Sequence, residues 1–315
     1  MMVNLEENIS NHAQTEPENC LEFVWDLNDS KSGTIVIVFN IVVNVVLMFT
    51  ASLGNGMIIV AILRAKDLQT PSYLLITSLA FTDLLVGLVF HPLYIAMNTF
   101  NLQGDVQGIC RISKAFIYFS TFIGLASMVM VTCISIDRYL ALTLRHRYNI
   151  IVTKKRVRLL ILLVWIATFF ASFSPTTTNI TFQIYLLLES CFGAVLLLST
   201  CVFYIKSYRT LKLYTIQIQA QQPNPLAWNF DVVKYKKTLK TMLLVSVCLV
   251  LCCVPIICAG LGRGLLGKRT ELLLILKLIT ITLYCVNSSI NPVIYLVRFT
   301  DIRNACRATF SHLLH

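Results

Sequence analysis

Charge is what this chain has least of. Only 13% of its 315 residues are Asp, Glu, Lys or Arg, against ~25% in an average soluble domain. Hydrophobic residues make up 57% and mean hydropathy is +0.74. A soluble protein built this way would expose large apolar patches and aggregate. Glycine and proline are also scarce, at 12 and 8 residues, which excludes collagen-like and Pro/Gly-rich disordered chains. Eleven cysteines in 315 residues are too dilute for a small disulfide scaffold. Missing too are a metal-ligand spacing, a Ser/His/Asp constellation and a Walker or Rossmann glycine pattern, and the five histidines are scattered. Catalysis therefore has no residues to rest on. With no basic, aromatic-interleaved soluble surface either, nucleic acid is not an expected partner.

What is present is apolar sequence in long runs. A spanning helix needs ~20 apolar residues, and runs of that order fall at 34–63, 72–97, 112–136, 157–174, 182–206, 238–262 and 271–297. Strands of a membrane barrel alternate in polarity over ~10 residues, so these runs predict helices. The expected fold is all-α, a seven-transmembrane helix bundle. Residues 300–315 form the C-terminal end as a short cytoplasmic amphipathic helix and tail, with Ile302, Ala305, Cys306, Thr309 and Phe310 on one side and Arg303 and Arg307 on another. Residues 1–33 carry seven of the 15 acidic residues and read as an extracellular, disordered, glycosylated segment. They have no cationic stretch before a short apolar core, so no cleavable signal peptide is expected there. The bundle itself is 34–299.

Basic residues orient the bundle. Nineteen of the 26 Lys and Arg fall on one side of seven spans and seven on the other. The positive-inside rule then puts the N-terminus outside and the C-terminus in the cytoplasm. Three glycosylation acceptors, Asn8, Asn28 and Asn179, fall on the same outer side. The expected location is the plasma membrane.

Ionisable residues inside spans are expensive and mostly functional. Here they are Asp83, the pair Asp137-Arg138, Glu189 and Lys277. Around them stand Gly54-Asn55, Leu79-Ala80-x-x-Asp83, Asp137-Arg138-Tyr139, Trp165, Cys252-Cys253-Val254-Pro255 and Asn291-Pro292-Val293-Ile294-Tyr295. One motif per span, in order and at matching depth, resembles the rhodopsin-like (class A) G-protein-coupled receptors over about 34 to 310. The resemblance implies a receptor that activates a heterotrimeric G protein when the sixth helix swings outward about Pro255. Arg138, held by Asp137 at rest, would meet the G protein, with Tyr139 beside it. Tyr204 and Tyr295 match the paired tyrosines of the active form, and Pro292 marks the bend of the seventh helix. Asp83 with Asn55, Ser127, Asn287, Ser288 and Asn291 matches the family's water and sodium cluster, so an allosteric sodium ion is the one cofactor expected. Taken singly, Arg138 also suits an interfacial arginine, Asp83 a single structural hydrogen bond, and the two tyrosines an interface belt.

The pattern is broken in several places. The cysteine of the usual outer disulfide would lie 25 residues before Arg138, where Ser113 stands. Cys110 lies 28 before, and the outer segment 174–181 has no cysteine, so Cys20–Cys110 is the candidate bridge. Cys253 replaces the Trp before Pro255, Leu196 replaces the fifth-span Pro, and Tyr235 stands where many relatives carry an acid. With no second acid for Arg138, a weakly locked resting form with measurable basal signalling is expected. These departures bear a partial likeness to the melanocortin, cannabinoid and lysophospholipid branch. Cys306 is a palmitoylation candidate.

The ligand pocket is expected in the outer half of the bundle. Counting 18, 17 and 14 residues back from Arg138 gives Ser120, Thr121 and Gly124, with no Asp to bind an amine. Cys285, seven before Pro292, excludes a retinal-binding lysine. Further wall candidates are His91, Tyr94, Glu189, Cys253, Ile256, Ile257, Lys277, Ile281 and Tyr284. Lys277 equally suits snorkelling to the interface. The mostly small and apolar wall favours a small organic or lipid-like extracellular ligand. Membrane lipids, and arrestin by family resemblance, are the other expected partners. The alternatives are a receptor-shaped protein without G-protein signalling, or a transporter, against which the absence of an internal repeat counts.

Overall fold

The computed structural model describes residues 23–24, 31–173, 181–221, 230–266 and 271–311. Among them there is no strand. Seven long helices run in order: α1 (Lys31–Arg64), α2 (Pro71–Gln103), α3 (Val106–Leu144), α4 (Lys154–Ala171), α5 (Phe182–Gln221), α6 (Phe230–Leu266) and α7 (Glu271–Arg298). An eighth, α8 (Thr300–Ser311), comes directly after α7. Five of them, α1, α2, α3, α5 and α7, are long and apolar enough to cross a membrane by length and composition alone. α4 has 18 residues, and its first turn holds Lys154, Lys155 and Arg156. The apolar part of α6 is Val247–Gly262.

Several helices overrun the apolar runs that announce them. α3 has 39 residues, about 58 Å at the helical rise, roughly twice a ~30 Å hydrocarbon layer. Past Asp137 its backbone bonding continues through Arg138 and a leucine-rich stretch to Leu144. Helix starts obey local chemistry. The Thr70 side chain accepts from Tyr73 N at 3.4 Å with Pro71 in the first turn, and Asp105 accepts from Gly108 N at 2.9 Å. Gly104, at φ 67°, closes α2 in the left-handed conformation that glycine adopts without strain.

α3 lies at the centre, packed against α2, α4, α5 and α6, while α1 packs against α2, α7 and α8. Large apolar side chains such as Ile35, Phe39, Leu53, Leu198 and Leu251 are exposed, whereas Asn44, Asn55, Asp83, His91 and Asn291 are fully buried. That is the inverse of a soluble protein and what a lipid-facing surface requires. The interior forms two apolar clusters. One, around Met130, Leu249, Tyr295 and Ile302, belongs to the end that carries Asp137 and Arg138. The other, around Phe90, Tyr94, Phe116 and Ile281, belongs to the opposite end, outer in the expected orientation.

Candidate functional site

The outer cluster surrounds a cavity of about 240 Å³. α3 contributes Ser120, Thr121 and Gly124; α5 contributes Glu189; α6 contributes Ile256 and Ile257; α7 contributes Lys277, Ile281 and Tyr284. The α7 residues recur at three- and four-residue spacing, so one helical face supplies them. Gly124 leaves room for Tyr284, since a Cβ there would sit 3.3 Å from the Tyr284 hydroxyl. The Tyr185 and Thr121 hydroxyls are hydrogen-bonded, and Tyr185 also bonds to the Glu189 carboxylate. Lys277 sets its Nζ 4.6 Å from the centre of the ring of Phe23, which lines the same cavity.

Three pocket candidates read from the sequence lie off this wall: His91, Tyr94 and Cys253. A π-turn at Val86–Phe90 adds a residue to one turn of α2 and rotates the remainder of the helix. His91 consequently faces α1, its Nδ1 3.0 Å from Asn44 Oδ1, in a network with Asn40 and Thr282. Tyr94 lies behind the wall, stacked on Phe90 and Phe116 at 5.7 and 6.0 Å. Cys253 is fully buried in the inner cluster instead.

Midway down the bundle Asn291 donates to Asp83 Oδ2 at 2.8 Å, and Asn55 donates to the Ser288 carbonyl at 3.0 Å. Ser127 and Asn287 are buried here as well. The Oδ1 atoms of Asp83, Asn55, Asn287 and Asn291 are buried without a hydrogen-bond partner among the described residues. An all-oxygen donor set with one carboxylate fits a hard monovalent cation.

At the inner end Arg138 forms an ion pair with Asp137, its Nε donating at 3.1 Å. Asp137 has further partners. Ser72 donates to one carboxylate oxygen at 2.9 Å, and the Tyr148 hydroxyl donates to the other at 2.5 Å. Tyr148 lies on the turn after α3, where Arg145 takes φ 45° and stacks 4.2 Å from the Tyr214 ring centre. Burial and the Asp137 charge push the Tyr148 hydroxyl pKa upward, so it remains a proton donor. Tyr204 and Tyr295 are both buried, the latter beside Phe299, and Tyr139 packs on Phe203. Pro255 and Pro292 both stand inside continuous helices.

Cys110 is disulfide-bonded, and the other nine described cysteines are free. Cys20, Asn8, Asn28 and Asn179 lie outside the described residues. Cys306 is buried against the inner cluster and its thiol pKa is raised by that burial. Sequence reading misses Phe23, Phe116, Tyr185, Ser72 and Tyr148. Phe116 is recoverable, since it lies one turn before Ser120 on the same face; the others depend on how loops and neighbouring helices meet.

The family model described as 7 transmembrane receptor (rhodopsin family) matches residues 54–295. The chain belongs to that family. It is thus a multi-pass membrane receptor rather than an enzyme. The chain is 26% identical to the human (Homo sapiens) histamine H2 receptor over 87% of its own length and 79% of the relative's. It is 27% identical to the alpha-2Da adrenergic receptor of Danio rerio, over 60% of its length and 47% of the relative's. Its identity to the octopamine receptor beta-1R of Drosophila melanogaster is 33%, over 41% of its length and 25% of the relative's. The chain thus spans half or less of the last two. These relatives give no support to the melanocortin, cannabinoid and lysophospholipid likeness.

Proposed function

We propose that this rhodopsin-family receptor binds a small extracellular ligand in the outer cavity and activates a heterotrimeric G protein at the Arg138 end. The observation that carries the reading is the pairing of the two sites in one bundle. A cavity of about 240 Å³ opens between α3, α5, α6 and α7, and Tyr284 on its wall packs against both the outer and the inner apolar clusters. A ligand that favours one arrangement of these helices shifts a two-state equilibrium by its differential affinity. In the active arrangement α6 pivots about Pro255, Arg138 leaves Asp137, and a cleft opens for the G protein. The orientation that serves this is N-terminus outside, C-terminus in the cytoplasm, at the plasma membrane.

The cavity suits a small organic ligand better than a peptide. Three relatives are named for adrenergic, octopamine and histamine ligands, yet here the α3 positions are Ser120, Thr121 and Gly124. Glu189 is the carboxylate on the wall and takes the ligand's polar group. Asp83, Ser127, Asn287 and Asn291 would hold a sodium ion, which would supply a positive charge against Asp83 and favour the resting arrangement. Basic residues at Lys154–Arg158 meet anionic lipid, and arrestin shares the inner face. Cys20 is the proposed partner of Cys110. Cys253, in place of the family's Trp, favours a second reading, a receptor-shaped protein without G-protein signalling.

The test is a small-molecule library screened on the full chain with a promiscuous Gα reporter. A hit should lose its response in Glu189→Gln or Tyr284→Ala at unchanged surface expression. Hits that survive both substitutions would overturn the cavity as the ligand site.

A further inference from the structure

The outer cavity takes one of its lining residues from outside the helix bundle. Phe23, in the segment read from sequence as a disordered tail, is only 6% exposed and lines the cavity together with α2, α3, α5, α6 and α7. Three different chemistries hold it, each from a different helix. Its backbone carbonyl accepts from Asn101 Nδ2 at 3.0 Å, at the outer end of α2. Its ring meets Phe116 of α3 edge-on, with centroids 5.6 Å apart. Lys277 of α7 sets its ammonium 4.6 Å from the ring centre, within cation–π range. Asn101 is itself buried and tied to its own helix through Met97, so the anchor is rigid. Such a set is more than a chance apolar contact requires: it fixes the backbone, the ring edge and the ring face.

We infer that Phe23 is a tethered occupant of the ligand cavity, an intramolecular plug that bridges α2, α3 and α7 and that an incoming ligand must displace. This deepens the proposed function and rests on that reading of the cavity. The plug has two consequences. It sets the access rate to the site, and it makes affinity a difference, because whatever a ligand gains at the outer wall is reduced by what Phe23 loses there. Phe23 is in place in the same structure in which Asp137 and Arg138 are paired.

The full-length receptor in lipid nanodiscs, carrying Thr280→Cys as a reporter on the cavity wall, tests this with a membrane-impermeant methanethiosulfonate. The parent chain without the reporter corrects for native thiols. Truncating Phe23→Ala should speed modification roughly tenfold or more, as expected for loss of a side chain whose burial contributes this much. Asn101→Ala should also speed it, and Phe23→Tyr should keep the slow rate. Equal rates in Phe23→Ala and its parent would overturn the plug, as would Phe23→Tyr reacting as fast as Phe23→Ala. If Phe23→Ala does not reach the surface, Phe23→Leu with Ser120→Cys gives the same comparison. Nucleotide exchange on a purified heterotrimer separates the two readings. A faster-modified receptor that never supports exchange keeps the plug and removes the proposed function. Ligand-driven exchange with unchanged access keeps the function and removes the plug.

Discussion

Replacing Asp137 with Asn removes one negative charge from the inner end and leaves its size and most of its hydrogen bonding in place. In the folded chain that charge pairs with Arg138 and accepts from Ser72 and Tyr148. The Asp137 side chain is 4% exposed and that of Arg138 13%, so water screens the pair little. A hydrogen bond to a charged group contributes about 1.5–3 kcal/mol, and every ~1.4 kcal/mol is tenfold in an equilibrium. If the pair is made only in the resting arrangement, Asp137→Asn should raise the active-to-resting ratio by roughly 10- to 100-fold. A receptor that is ~1% active would become about 10–50% active. The assay is ligand-free guanine-nucleotide exchange on a purified heterotrimer, with wild type and variant matched for folded receptor. Tyr148→Phe keeps the charge and the Arg138 pair but removes the 2.5 Å donor to Asp137 and the 3.2 Å contact with Ser72, so its increase should lie at the lower end of that range, about tenfold for ~1.5 kcal/mol. Asp137→Asn with wild-type basal exchange would refute the reasoning, because the pair would then be equal in both arrangements.

Three substitutions and one modification probe the frame further. Gly87→Ala would set a Cβ 2.3 Å from Ser52 Oγ and 2.8 Å from Ser52 N; it should cost about 1–3 kcal/mol and lower surface expression, while Gly56→Ala, with its nearest atom at 3.9 Å, should be tolerated. Trp165→Phe keeps the ring contacts with Phe81 and Phe122 but loses the Nε1 bond to Ser78 at 3.0 Å. That loss of about 1 kcal/mol should lower Tm in detergent by ~2–4 °C. The Cys306 thiol, its pKa raised by burial, holds less thiolate at any given pH. Its alkylation by maleimide at pH 8 should therefore be slower than that of an unstructured peptide of α8 and should accelerate at higher pH. Equal rates for receptor and peptide would show that α8 leaves Cys306 open.

Fold and site were not equally legible. The run 34–63 falls inside Lys31–Arg64, because a lipid-embedded helix needs an apolar surface and nothing else competes to write one. The apolar run read from sequence stops before the charged pair Asp137-Arg138, whereas the helix passes through that pair and the leucine-rich stretch beyond it to Leu144. The cavity wall is readable where one helix face repeats, as at Lys277, Ile281 and Tyr284. It misleads at His91, because one π-turn at Val86–Phe90 turns the rest of α2 toward α1. Tyr148 lies eleven residues from Asp137 and reaches it through the turn at Arg145, a geometry no periodicity encodes. Phe23 is the furthest from legibility, since beside Trp25 in an acidic segment it looks like any other tail residue until α2, α3 and α7 assemble around it.

Arg138 is the residue proposed to couple this bundle to a G protein. Reconstituted in lipid nanodiscs with a purified heterotrimer, the wild-type chain should accelerate nucleotide exchange above protein-free discs, and Arg138→Ala should bring the rate down to that background at unchanged folding. Exchange that persists in Arg138→Ala, or wild-type exchange no faster than empty discs with or without a cavity ligand, would contradict it.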